Sequence, residues 1–222
     1  MAGVKHFLLT IAVSALVGCG KKEEAQPTTP KTETKKPEPP KVVLSSTEAK
    51  ALVEAAIRRQ LRKPEGELTK EDLEKVTLID LPRRGLTDGS LLAGLTNLKE
   101  LSLNDNRLTD VSPLAGLTKL ETLWLESNRL TDISTLKGLT QLVDLTLCNN
   151  NLTNGQLKYL TGLKQLKVLN LGSNQLTNVS TLEVLKQLRF LHLQNNPDLT
   201  KAEVDNLRKA LPNCLITHNA KK

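Results

Sequence analysis

Aromatic side chains are nearly missing from this chain: they make up 2% of its 222 residues, with one Trp, one Tyr and two Phe. That is too few for a globular core of mixed side chains. Leucine has to do the filling, and a core of one residue type belongs to a repetitive shape. Histidine and cysteine are scarce too, with three of each. The patterns His-Glu-x-x-His, Gly-x-x-x-x-Gly-Lys and Gly-x-Ser-x-Gly do not occur, so metalloprotease, phosphate-loop and nucleophile-elbow chemistry have no foothold. A basic face is missing as well, although the net charge is +7. Nine of the 31 Lys and Arg, but only four of the 24 acids, lie at or before Lys41 or in the final Lys221-Lys222 pair. The remainder carries 22 basic and 20 acidic residues, which argues against a phosphate-binding surface and against nucleic acid as a partner.

The N-terminus reads as an address. Lys5 and His6 precede an apolar run from Phe7 to Val17. As a helix that run spans ~16 Å, too short for a ~30 Å hydrocarbon layer but suited to a signal peptide. It ends Leu16-Val17-Gly18-Cys19, which resembles the bacterial lipobox. The resemblance implies a signal peptide over 1–18, diacylglyceryl transfer to the Cys19 thiol, cleavage before that residue and acylation of the new amine. Several acyl chains make a lasting anchor. Residues 19–41 follow as the lipidated cysteine and a tether of Pro, Lys, Glu and Thr, with nothing apolar larger than Ala25 to offset the entropy of ordering it.

From Val76 the chain repeats itself on the template L-x-x-L-x-L-x-x-N. The clearest copies start at Leu98, Leu120, Leu142, Leu166 and Leu188 and end on Asn106, Asn128, Asn150, Asn174 and Asn196. An earlier copy starts at Val76, with Arg84 in place of the asparagine, and a last one fits Leu211, Cys214, Ile216 and Asn219. The starts are 22, 22, 22, 24, 22 and 23 residues apart. This pattern resembles the leucine-rich-repeat family, and its L-T-D-x-S-x-L-x-x-L-T endings resemble the internalin-like subtype. The resemblance implies an α/β fold, a leucine-rich-repeat solenoid shaped as an arc. A parallel β-sheet would line its concave face and short helical turns its convex face. The physics agrees: Leu98, Leu101 and Leu103 alternate as a short strand with one buried side, while Leu108, Val111, Leu114 and Leu117 return in short turns. The asparagines are assigned to bonding buried loop backbone.

Both ends of the solenoid look covered. Residues 42–75 are predicted to form a helical N-terminal cap, opened by the capping box Ser45-Ser46-Thr47-Glu48 and broken at Pro64-Glu65-Gly66. The repeats are assigned to 76–220, with a helix from Thr200 and a final strand around Leu215 closing the sheet. No inter-repeat domain of the kind found in internalins follows, so an adhesin role does not carry over.

The rare reactive residues offer no catalytic group. His192 and His218 fall on neighbouring strands ~10 Å apart, beyond a shared metal. Cys148 takes an outward template position, a candidate reactive thiol. Cys214 takes a core leucine slot three strands away, too far for a disulfide. No catalytic residue, metal or cofactor is assigned. Asn151-Leu152-Thr153 and Asn178-Val179-Ser180 match a glycosylation acceptor, which the bacterial address makes accidental.

A partner would sit on the concave face, where the third, fifth and seventh template residues point outward. Trp124, the only tryptophan, occupies such a position between Ser102 and Thr146, with Glu100, Glu126 and Asp144 around it. A Trp that can be desolvated inside a charged rim has the composition of an interface hot spot. Val168, Phe190, His192 and Leu215 form a second, more apolar patch. The candidate partner-binding residues are therefore Trp124, Glu100, Glu126, Asp144, Phe190 and His192, and the lipidation site is Cys19. The acids suggest a protein partner presenting Lys or Arg. The reading is a monomeric, non-enzymatic protein-binding module of the bacterial cell envelope. It would be lipid-anchored on the periplasmic side of the outer membrane or at the cell surface. The alternative is a passive spacer or peptidoglycan-associated lipoprotein.

Overall fold

The computed structural model describes residues 44–221; the signal peptide, Cys19 and the tether lie outside the described residues. Seven three-residue strands form one parallel sheet in sequence order: β1 (Leu78–Asp80), β2 (Glu100–Ser102), β3 (Thr122–Trp124), β4 (Asp144–Thr146), β5 (Val168–Asn170), β6 (Phe190–His192) and β7 (Leu215–Thr217). Sequence order without crossovers means that each repeat packs only on its neighbours, which is the definition of a solenoid. The middle residue of each of β1 to β6, such as Leu101, Leu123, Leu145, Leu169 and Leu191, is at most 1% exposed, and Ile216 in β7 is 4% exposed. The residues on either side of it face away from the core. Between strands the chain returns through 3-10 turns, Ser112–Gly116, Ser134–Gly138 and Ser180–Val184 among them. Each buries one leucine: Leu114, Leu136 and Leu182.

The asparagines do what the sequence implied. Asn150 Nδ2 donates to Leu125 O of the preceding repeat and to Leu147 O and Cys148 O of its own. Its Oδ1 accepts from Leu130 N. Asn128, Asn174 and Asn196 repeat the arrangement one step along. The residue just before each asparagine lies in the left-handed region, with Asp105, Ser127, Asn149, Ser173 and Asn195 at φ between 54° and 58°. Asn and Asp tolerate that conformation best, and three of these five are Asn or Asp. Arg83 adopts it too, at φ 56°, and its guanidinium reaches Asp105 at 3.2 Å.

Helices close both ends. Helix α1 (Ser46–Leu61) starts at Ser45, whose hydroxyl accepts from Glu48 N while the Glu48 carboxylate accepts from Ser45 N. It buries Val53, Ala56 and Ile57 over β1. Arg62 ends it in the left-handed conformation, and the short α2 (Lys70–Leu73) is held back against it. Lys63 Nζ bonds Asp72 Oδ2 at 2.6 Å, which lowers the Asp72 pKa to about 2. At the far end α3 (Lys201–Ala210) begins on Thr200 and buries Val204 and Leu207.

The last repeat corrects the sequence reading. Phe190, Leu191 and His192 pair with Leu215, Ile216 and Thr217, so the strand lies two residues further on than the template fit placed it. Ile216 takes the core slot assigned to Cys214, and Cys214 is only half-buried. Asn219 is no ladder rung; it is exposed and bonds Asn195. Helix α3 has displaced the usual return turn here. Leu211 caps that helix and is buried as its last apolar residue, not as the start of a strand.

Candidate functional site

Two columns of side chains stand on the concave face. The third-position column runs Leu78, Glu100, Thr122, Asp144, Val168, Phe190, Leu215, and the fifth runs Asp80, Ser102, Trp124, Thr146, Asn170, His192, Thr217. Parallel in-register pairing fixes these neighbours. Ser102, Trp124 and Thr146 are consecutive across β2, β3 and β4, so the tryptophan does stand on the sheet between two small residues. Its flanking residues Leu123 and Leu125 are fully buried, while the indole is half-buried.

The rim is less open than the sequence suggested. Glu100, Glu126 and Phe190 are half-buried, but Asp144 is 2% exposed and His192 4%. Asp144 is flanked in its column by Thr122 and Val168, with the large Trp124 on the diagonal, and among these neighbours it is closed off from solvent. It therefore belongs to the floor of the site and not to an exposed acidic rim. Cys148 is likewise buried, at 0%, instead of outward and reactive. It precedes the left-handed turn at Asn149, where the chain has already left the strand and turns into the repeat. Cys148 and Cys214 form no disulfide.

The face is also more polar than the two patches proposed for it. Ser102, Thr122, Thr146 and Asn170 are all buried. Asn170 Oδ1 accepts from Gly172 N at 3.1 Å. A Cβ on Gly172 would come within 3.2 Å of Gln194 O and 3.3 Å of Asn170 Oδ1, so only glycine leaves this polar stack undisturbed. His192 Nδ1 lies 2.8 Å from Thr217 Oγ1, which also accepts from Gln194 Nε2 at 2.7 Å. Burial holds the His192 pKa below the ordinary imidazole value. Thr146 and Asn170 could have been singled out from the sequence because they complete the column between Trp124 and His192.

Phe190 and His192 sit on one strand two residues apart and face the same way, whereas Trp124 is three strands from them. The first patch thus occupies β2 to β4 and the second β5 to β7. Outside this face, a polar groove of about 550 Å³ runs along the asparagine loops between Arg83, Arg107 and Arg129. Among the described residues no three His, Cys, Asp or Glu side chains cluster as metal ligands. No helix among them is long and apolar enough to cross a membrane.

Comparison with known proteins agrees with this geometry. The family model for leucine-rich repeats in two copies matches residues 96–138, and a second leucine-rich-repeat model matches 140–197. The chain is a leucine-rich-repeat protein of the internalin-like kind. An internalin of Listeria monocytogenes is 26% identical, with a TM-score of 0.63, over 78% of this chain and 56% of its own. Internalin C2 of the same organism is 28% identical, with a TM-score of 0.60, over 75% of this chain and 82% of its own. A leucine-rich-repeat protein of Leptospira interrogans is 30% identical, with a TM-score of 0.59, over 69% of this chain but 40% of its own. The chain therefore spans little more than half of the first relative and less than half of the third. No curated protein matches the sequence. A leucine-rich-repeat solenoid is in general a scaffold for protein–protein interaction.

Proposed function

We propose that this leucine-rich-repeat protein is a lipid-anchored binding module of the bacterial cell envelope that takes a protein partner on its concave face. The observation that carries this reading is Trp124. The single tryptophan of the chain is spent on the sheet surface, half out of the core, and its indole N–H has no partner among the described residues. Glu100 and Glu126 stand on either side of it and favour a partner segment with Lys or Arg, whose cation can also stack on the indole. The anchor rests on Leu16-Val17-Gly18-Cys19 and the reach on the tether that follows. Gly20 stands where some bacteria place the aspartate that retains lipoproteins at the inner membrane, which favours the periplasmic side of the outer membrane or the cell surface. The protein acts as a monomer and without catalysis in this reading.

The test is crosslinking from position 124 in living cells, followed by identification of what is captured. A specific protein is expected, lost when Glu100 and Glu126 are both changed to Lys. Capture of nothing, with alanine at Trp124 and Phe190 leaving every co-purifying protein in place, would return the protein to the class of passive envelope spacers. Cys19→Ala should abolish fatty-acid labelling and release the protein from the membrane fraction; unchanged labelling would remove the anchor from the proposal.

A further inference from the structure

Two nitrogen atoms in the fifth column are left unbonded by the fold, Trp124 Nε1 and His192 Nε2, and neither reaches solvent. A buried polar atom without a partner is costly and rare in folded proteins, so two of them in one column of the partner-facing sheet call for a reason. The hydrogen bonds around His192 leave two tautomers open. Thr217 Oγ1 already accepts from Gln194 Nε2 at 2.7 Å and lies 2.8 Å from His192 Nδ1. Thr217 Oγ1 has one proton to give and a second lone pair to offer, so its contact with Nδ1 fits either imidazole tautomer. Where Thr217 donates to Nδ1, the neutral imidazole carries its own proton on Nε2. In that tautomer, the one that a bound acceptor would select, both unbonded nitrogens are donors.

Their spacing is informative. Trp124 and His192 hold the same position on β3 and β6, three strands apart, which is ~14 Å at ~4.8 Å per strand. In an extended peptide the carbonyls on one side recur every two residues, so those of residues i and i+4 are ~13 Å apart at ~3.3 Å per residue. The inward curve of the sheet brings the side-chain tips slightly closer than the strands, which narrows the difference. We propose that the concave face holds an extended peptide segment of a partner protein, laid across β3 to β6. Its carbonyls i and i+4 would accept hydrogen bonds from Trp124 Nε1 and His192 Nε2. This rests on the binding function proposed above and names the chemistry of the partner.

The two ends of the groove fix its polarity. Around Trp124 stand Glu100 and Glu126, which select Lys or Arg. Around His192 stand the half-buried Phe190 and the exposed Leu215, at 59%, which select apolar side chains. Binding requires the side chains that cover these nitrogens to move, since both are closed off in the free protein. An N-acetylated glycan also offers carbonyl acceptors, but it brings no cation for the two glutamates.

The experiment uses the full lipidated chain, labelled with nitrogen-15 and held in detergent micelles. The probe is a ten-residue synthetic peptide with Lys at alternate positions of one half, Val at alternate positions of the other, and Thr elsewhere. With one Trp in the chain there is one indole N–H signal, and it should move downfield as the peptide is added. Trp124→Phe keeps a ring and removes the donor; it should weaken binding about tenfold. His192→Phe should do the same, while His192→Gln, which retains a donor, should stay within about threefold of the native protein. Melting temperatures near the native one for each variant secure the comparison. The proposal is overturned if the probe does not bind, if it binds with neither donor removal mattering, or if chitotriose and not the peptide moves the indole signal. Were a protein still captured from position 124 in cells, the binding function would stand and only the extended-peptide mode would fall.

Discussion

Two columns of polar residues run the length of this solenoid, and they differ in every respect except their period. The asparagines of the loops are the same residue in five successive repeats, buried to between 2% and 7%, with every amide position bonded to backbone. The fifth-position residues of the strands read Ser102, Trp124, Thr146, Asn170 and His192, no two alike, and two of them end in unbonded nitrogens. Where each repeat must solve one problem, satisfying loop backbone away from water, the chemistry is identical and complete. Where repeats are free to differ, the chemistry is varied and incomplete, and it is there that a partner can add something.

That contrast can be broken experimentally. The largest loss should come from beneath both columns: Leu125→Ala leaves a cavity in a fully buried stack and should cost ~2–5 kcal/mol in denaturant unfolding. Asn150→Ala should come next. It strands Leu130 N, at ~1–3 kcal/mol for a group left without a partner or water, while Leu125 O, Leu147 O and Cys148 O each keep a second donor in Asn128, Asn174 and Ser127 N. Trp124→Ala should cost less than half as much as Leu125→Ala, because the indole is only half-buried, and should act instead on binding. Should Trp124→Ala unfold as readily as Leu125→Ala, the distinction between a structural and a recognition column would be lost at this residue.

Smaller effects sharpen the comparison. Burial lowers the pKa of His192, and burial followed by the Arg208 charge lowers that of His218. Both bind protons less readily folded than unfolded, so their contribution is complete above the unfolded value of ~6.5 and declines as the pH falls below it. The denaturant midpoint should drop between pH 7.5 and 5.5, and His192→Gln should drop less over the same range. An equal fall in that variant would assign the whole effect to other groups. Smallest of all are the thiols. Cys148 is closed off, and burial pushes the Cys214 thiol up to about 11, so at pH 8 Cys214 should alkylate slowly and Cys148 only on unfolding. Rapid labelling of Cys148 would mean that its loop opens in the folded protein.

The sequence made the strands, the ladder and both caps legible for one reason: each copy restates the same constraint, so Leu101, Leu123 and Leu145 vouch for one another. Legibility failed where a residue had no counterpart. The last strand follows a helix in place of a turn, and Leu211 fitted the template while serving that helix. Asp144 and Cys148 occupy outward template positions, yet the exposure of Asp144 depends on the size of its neighbours, and that of Cys148 on where the chain leaves the strand for the turn at Asn149. A repeat pattern specifies the slot of a residue and not the size of what stands beside it. The unbonded nitrogens were illegible for the same reason, since partnership is a property of three dimensions.

The step from β4 to β5 is the only one with two extra residues, 24 between template starts where most have 22. They are spent on the outer side, where the 3-10 segment Asn154–Leu160 runs to seven residues against five in Ser112–Gly116 or Ser134–Gly138. A thicker block on the outer rim of an arch, with the inner rim unchanged at one strand spacing, closes the arch more sharply at that block. The inner residues flanking this step, Asp144, Val168 and Asn170, are among the least exposed of the whole face, at 2%, 1% and 4%. The keystone of the arc thus lies midway between Trp124 and His192, and a change in the length of one outer turn would alter the span between them without touching either.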